Sequence, residues 1–266
     1  MNTAEAMRYL NDRGARIPRF EDIDRFIGFE FPIQAMMTEA LPADESLKLW
    51  QTARAHAPRT GLVPVLVGAE PMIDWFAGAD CEEVLERLHA HRAQSPSAAV
   101  LETLEQRAIQ RFSASVVEQL RAEMNAIRPA WRVLPGHGAE YVGHETDGAP
   151  DFLAEEEEVR CILLQCPAVD VPIYLGLGGW NDSPQPHEQS AIFSRWNARF
   201  GTQIAHVGRS SIGLWSTRPP TRIDEYRELL WETFLYCHNT AFQDGDATFS
   251  GVRQMLAQPW WSFFWD

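Results

Sequence analysis

The chain closes on Trp260-Trp261-Ser262-Phe263-Phe264-Trp265, followed by Asp266. Each of these rings buries roughly 150–250 Å² when packed, so a terminus built from them does not stay in water as a mobile tail. The chain end is therefore expected to fold back into the protein as a plug. Asp266 would then bring its side chain and the terminal carboxylate close to the protein body. That return needs a core laid down upstream. Hydrophobic residues make up 45% of the 266 positions, enough for one large domain or two small ones.

The strongest periodic signal upstream is the stripe Leu101, Leu104, Ala108, Phe112, Val116, Leu120 and Met124. It predicts a helix over 97–127, opened by Ser95-Pro96 and broken near Ser113-Ala114-Ser115. Shorter helices are expected over 45–56, capped by Asp44 and stopped by Pro58, and over 81–92, capped by Asp80. Others are expected over 186–200, closed by Gly201, over 222–237, capped by Thr221, and over 249–256. Near the start, 4–10 suits a short helix. Phe20, Ile23, Phe26 and Ile27 repeat at helical spacing, and Phe29, Phe31 and Ile33 alternate like a strand entry. Strands are expected over 62–67, 159–166 and 171–177, with Pro64 arguing for an edge position or a bulge. A hairpin is expected over 202–207 and 212–217 around Gly208-Arg209-Ser210. Gly and Pro make 129–150 a loop.

Together these elements give an α+β protein. A helix-rich region, 1–145, packs on a C-terminal domain, 146–266, with a mixed or antiparallel sheet and helices on one face. The order of elements in the C-terminal half reads β-β-α-β-β-α-α.

Charge narrows the functional classes. The formal net charge is −14, and Lys48 is the only lysine. Phosphate neutralisation needs a basic face, so nucleic acid is an unfavourable partner, and an anionic membrane surface is unfavourable for the same reason. A basic protein partner is what such a field steers inward. The first 25 residues lack the apolar run of a secretory signal, and no run approaches the 18 apolar residues of a spanning helix. The cysteines Cys81, Cys161, Cys166 and Cys237 form no CxxC pair and read as buried thiols, which fits a cytoplasmic location.

Candidate site residues divide into several groups. Trp180-Asn181 follows Gly176-Leu177-Gly178-Gly179 in a loop, where Asn can bond local backbone and Trp can anchor an interface. That glycine run lacks the GK[ST] or GxxG spacing of a phosphate loop. Glu155, Glu156, Glu157 and Glu158, with Asp151, Glu140, Glu145 and Asp147, make an acidic cluster suited to docking a basic partner. His137 and His144 flank Pro135-Gly136-His137-Gly138, but no HxHxDH or HExxH stretch accompanies them, so no metal and no cofactor is expected. Cys237-His238 lies at the end of a predicted helix, where the dipole disfavours a thiolate.

Several stretches resemble one known family. They are Gly179-Trp180-Asn181, Pro184, Trp196, Arg199-Phe200-Gly201 and Arg218-Pro219-Pro220. Cys237, Gln243, Gly245 and Trp261-Ser262-Phe263-Phe264-Trp265-Asp266 continue the series. They resemble the bacterial family called domain of unknown function 4253, over about 90 C-terminal residues, and Pro58-Arg59-Thr60-Gly61-Leu62 with Pro64 resembles longer members. The sequence departs from that pattern at His238, where Pro tends to follow the Cys, and at Asp182-Ser183, where Cys commonly precedes the Pro. The resemblance implies a bacterial protein with a compact α+β C-terminal domain, and it carries no catalytic residue.

The leading functional expectation is a non-catalytic protein-binding module. Its specific form is an immunity-type protein, part of a toxin–antitoxin pair, that occludes a basic toxin domain. The alternative is a hydrolase or transferase with its site in the cleft between the halves, drawing on His137, His144, Cys237, His238 and Asp266.

Overall fold

A computed structural model describes residues 5, 8–10, 12, 20–23, 33–68, 81–126, 153, 158–208, 210–242, 252 and 255–265. Eight described strands form one sheet in the order β1-β2-β5-β4-β6-β7-β8, with β3 beside the start of β5. The strands are β1 (Phe20–Asp22), β2 (Ala35–Thr38), β3 (Leu41–Pro42), β4 (Val63–Gly68), β5 (Glu158–Leu164), β6 (Gln203–Val207), β7 (Ser211–Trp215) and β8 (Trp260–Phe264). All neighbours are antiparallel except β4 and β6, which run parallel through Leu66↔His206 and Val67↔Val207. Strands from both ends of the chain thus share one ladder.

The helices are α1 (Ala43–Thr60), α2 (Cys81–Gln94), α3 (Ser97–Phe112), α4 (Ala114–Ala126), α5 (Val171–Tyr174), α6 (Pro186–Phe200), α7 (Ile223–Tyr236) and α8 (His238–Phe242). They cover both faces of the sheet, not one as expected. The cause is strand alternation. Val65, Val67, Ile162, Leu164, Ile212, Leu214, Trp261 and Phe263 meet α3, α4, α6 and α7 in the larger core. Leu66, Val159, Cys161, Leu163 and Ala205 meet α1 in the smaller one. Central strands apolar on both faces require a layer of helix on each.

The α+β class is as the sequence predicts, and so is the break at Ser113, which takes φ 75 between α3 and α4. Helix α6 and the β6–β7 hairpin also fall where expected, with Gly201 closing α6 in the left-handed region. Other elements differ. Within the stretch 171–177, Val171–Tyr174 is helical and Leu175 and Gly176 form a turn, with a 3-10 turn at Ala168–Asp170 leading into α5 and Pro at its start. The stretch is buried except at Tyr174, and periodicity cannot assign such an apolar run to strand or helix. Phe20–Asp22 is a strand rather than helix, because pairing with β2 overrides the local spacing. Helix α1 runs through Pro58 to Thr60 and ends at Gly61, φ 72, and Pro42 rather than Asp44 precedes it. Helix α7 follows Arg222, not Thr221. The expected element order of the C-terminal half gives way to β-α-α-β-β-α-α-β.

Pro64 is not on an edge: β4 is central. Its pairing with β6 covers only Leu66 and Val67, so at Pro64 that side of the strand is not in a ladder. The Pro64 carbonyl there accepts the Trp50 indole N–H at 3.0 Å. A residue's N and C=O point to the same side of a strand, so the missing N–H of Pro64 costs no ladder bond.

The chain end does return to the core, as strand β8 against β7. Trp261, Phe263 and Trp265 are fully buried. Their centre is Trp196 on α6, itself 0% exposed, stacked on Phe263 and edge-on to Tyr236 and Trp261. The Trp196 indole donates to Glu232 on α7 at 2.7 Å. The same carboxylate, 2% exposed, accepts from Arg195 and Arg199. A buried carboxylate is stable only with such partners.

Glu232→Ala leaves the buried indole N–H without its acceptor and takes one of two carboxylates from Arg195 and Arg199, which keep Glu228, and is expected to cost about 3 kcal/mol. Urea unfolding at pH 7 checks this, with Glu232→Gln expected to lose less.

A register shift between Ile204 and His206 bends β6, and His206 then pairs with Leu66 and Gly213 on the α1 face. Burial pushes the His206 imidazole down to about 4. The unfolded chain, titrating near 6.5, takes up this proton first, so stability is full above that pH and is lost as pH falls toward 4. The loss amounts to about 3 kcal/mol. Unfolding midpoints between pH 7.5 and pH 4.5 are expected to fall less steeply in His206→Gln than in the parent protein.

Candidate functional site

The Gly-rich stretch singled out in the sequence forms a tightly folded surface loop between α5 and α6. Gly176, Gly178 and Gly179 take φ 61, 106 and 79, and Asn181 and Asp182 follow at φ 43 and 65. Two consecutive L-residues in the left-handed region are uncommon, and Asn and Asp are the types that tolerate it. The loop closes on itself: Ser183 N–H donates to the Trp180 carbonyl at 2.7 Å, and Gly179 N–H reaches the Pro184 carbonyl at 3.1 Å. Asn181 and Asp182 are exposed, and Trp180 is half-buried with its ring packed against the larger core.

Three side chains hold the loop from behind. Gln189, fully buried on α6, donates from Nε2 to the carbonyls of Leu177 and Pro184, both at 3.1 Å. Its Oε1 accepts from the Tyr236 hydroxyl at 3.2 Å. Glu188 accepts the Gln185 backbone N–H at 2.8 Å and so caps α6. It also takes both arms of the Arg107 fork, at 2.8 and 2.7 Å. Arg111, one turn further along α3, pairs with Asp182 at the loop tip. A bidentate pair fixes direction as well as distance, so α3 sets where the loop points.

Cys237 and His238 lie beside this assembly at the junction of α7 and α8. Cys237 Sγ sits 3.0 Å from the Phe264 carbonyl and 3.0 Å from Thr240 Oγ1. Burial pushes its thiol up to about 11. His238 packs edge-on to Phe112, and burial, with Arg111 adding to it, pushes its imidazole down to about 4. At neutral pH the thiol is protonated and the imidazole is neutral, the reverse of an activated Cys–His pair.

Of the acidic cluster, Glu158 is described: it is exposed at the first position of β5, paired with Pro42, at the β3–β5 corner rather than in the loop. Asp151, Glu155, Glu156 and Glu157 lie outside the described residues, as do His137, Glu140, His144, Glu145, Asp147 and Asp266. Among the described residues no group of three His, Cys, Asp or Glu side chains is placed to hold a metal ion, and no helix is long and apolar enough to cross a membrane. Sequence reasoning missed Arg107, Arg111, Gln189 and Tyr236. Only Gln189 left a trace, as an amide on the apolar stripe of α6 with Phe193, Trp196 and Phe200.

Gly178 has no room for a side chain, since a methyl group there would overlap the Pro184 carbonyl and the Gln189 amide. Gly178→Ala is expected to destabilise the protein by about 2 kcal/mol or more, from strain at positive φ plus the overlap. Proteolysis within 176–185 is expected to quicken, and limited digestion checks it.

No curated protein and no solved structure matches the chain. Residues 163–266 match the model of a family described as domain of unknown function (DUF4253). That segment supplies the loop, Gln189, Tyr236, Cys237 and β8, whereas Arg107, Arg111 and most of β5 come from before it. The C-terminal part of this chain, from the end of β5 onward, is thus similar to the domain of that family, and strands that precede it extend the same sheet.

Proposed function

We propose that the protein is a non-catalytic binding module for a basic protein partner, and that the loop at Trp180-Asn181-Asp182 is part of its contact surface. The observation that carries this reading is the loop's prior order. Asn181 and Asp182 are held exposed in left-handed backbone by Gln189 and Arg111. A surface already fixed in one conformation loses little entropy on binding. Trp180 supplies a large ring beside polar groups, a composition common in interface anchors. The net charge of −14 accelerates encounter with a basic partner at low salt. The acidic residues from Asp151 to Glu158 are a second contact in this reading.

The immunity-type role is the specific form of this proposal: the partner is a toxin domain whose basic active surface the acidic chain covers. The competing enzyme reading retains Cys237 and His238 within the described residues, and burial keeps both neutral there.

Co-purification from native lysate, followed by mass spectrometry, tests the proposal. A basic protein is expected at low salt, in smaller yield at moderate salt, and in smaller yield again with Trp180→Ala or Asn181→Lys. The partner's toxicity in cells is expected to be relieved by the parent chain. Recovery of no protein at either salt concentration defeats the reading.

A further inference from the structure

A groove of about 520 Å³ lies between the α2–α3 junction and α6. Its volume is within the range of about 300–1,000 Å³ common to small-molecule sites. Three arginines line it, Arg92 at the end of α2 and Arg195 and Arg199 on α6, together with Ser95, Ser97 and Ser194. Among the described residues no carboxylate lines it, in a chain with 37 acidic residues against 23 basic ones.

The carboxylates stand behind the arginines instead. Arg92 donates its Nε–H to Ser190 Oγ, which donates in turn to Asp170; Nε lies 2.8 Å from that carboxylate, and the Arg92 side chain is 27% exposed. Both of its Nη nitrogens have no protein partner among the described residues. Arg195 spends Nε on Glu232 and Nη2 on Glu228, which leaves Nη1 open among the described residues. Arg199 is held by the same two carboxylates. Guanidinium groups braced from behind lose little side-chain freedom when a ligand arrives, and the open fork of Arg92 matches two oxygens of one tetrahedral anion. The amino end of α3 opens onto the same groove. Pro96 caps it without a side-chain hydrogen bond, and its first turn has no acidic residue. Its free N–H groups add positive potential to that of the arginines.

We propose that this groove is a binding site for a phosphoryl group, with Arg92 and Arg195 donating to its oxygens, the serine hydroxyls assisting, and the remaining volume taking a small organic body. The site is separate from the loop contact proposed above and stands or falls independently of it.

The test is a ³¹P NMR titration of phenyl phosphate and of inorganic phosphate with the full chain at fixed ionic strength. Two variants accompany it. Ser97→Asp places a negative charge in the groove while favouring the amino end of α3, so it stays folded. Arg92→Lys keeps the pairing with Asp170 but removes the fork. Both ligands are expected to shift and broaden with the parent protein, and each variant is expected to weaken binding by about tenfold, Arg92→Lys through the loss of one charge-assisted hydrogen bond and Ser97→Asp through repulsion between like charges. Tighter binding of phenyl phosphate than of inorganic phosphate assigns the site to an ester, and equal binding assigns it to the free ion. Undiminished binding in Ser97→Asp, or no response from the parent protein, overturns the proposal.

Discussion

Trp196 sets the register of everything around it. One face of its ring lies on Phe263, its edges meet Tyr236 and Trp261, and its N–H is given to Glu232. These contacts tie α6 to α7 and to β8 in a single buried cluster. Because cores pack at crystal-like density, α6 cannot slide or rotate without breaking several of them at once. The surface features then follow from α6. Glu188 and Gln189 leave it to hold the loop, and Arg195 and Arg199 leave it to line the groove.

The buried polar groups divide the same way. Glu232 and Gln189 are both withdrawn from water; Glu232 takes three partners from α6, and Gln189 takes its partners from the loop and from α7. Such networks are costly when half satisfied and specify one geometry when complete. Here they hold a loop in backbone conformations that an unconstrained chain rarely populates. Local strain of that kind persists where the surroundings over-determine it. The order of the Trp180-Asn181-Asp182 tip is thus a tertiary effect imposed on a local sequence that merely permits it.

The matched family segment begins within β5, yet the sheet it enters is extended by β4 in parallel with β6 and continued by β5, β2 and β1. Its loop is clamped by Arg107 and Arg111, which precede the segment. The sheet order runs across residue 145, where composition alone places a boundary between halves. A Gly- and Pro-rich stretch marks a change in local chain stiffness. Which strands pair across that change is decided by hydrogen bonds between residues about 100 positions apart, such as Val65 with Ile162.

By itself the sequence determined the local elements whose signals need no distant partner. The stripe through Leu104 and Leu120, the stop at Gly201, the hairpin at 203–215 and the burial of the terminal aromatics all follow from periodicity, backbone permission and ring size, except that the break at Ser113 shifts the stripe from Val116, which is exposed, to Val117. Tertiary structure alone decided the rest. Val171–Tyr174 is helix, with Pro172 in its first turn, although its apolar composition suits a buried strand equally. Pro64 sits in a central strand because its neighbour β6 pairs only beyond it, and Phe20–Asp22 is strand because β2 offers a ladder. The arginine groove was illegible for the same reason. Arg92, Arg195 and Arg199 are scattered in the sequence, and the packing of α6 against the junction of α2 and α3 is what gathers their charge at one place.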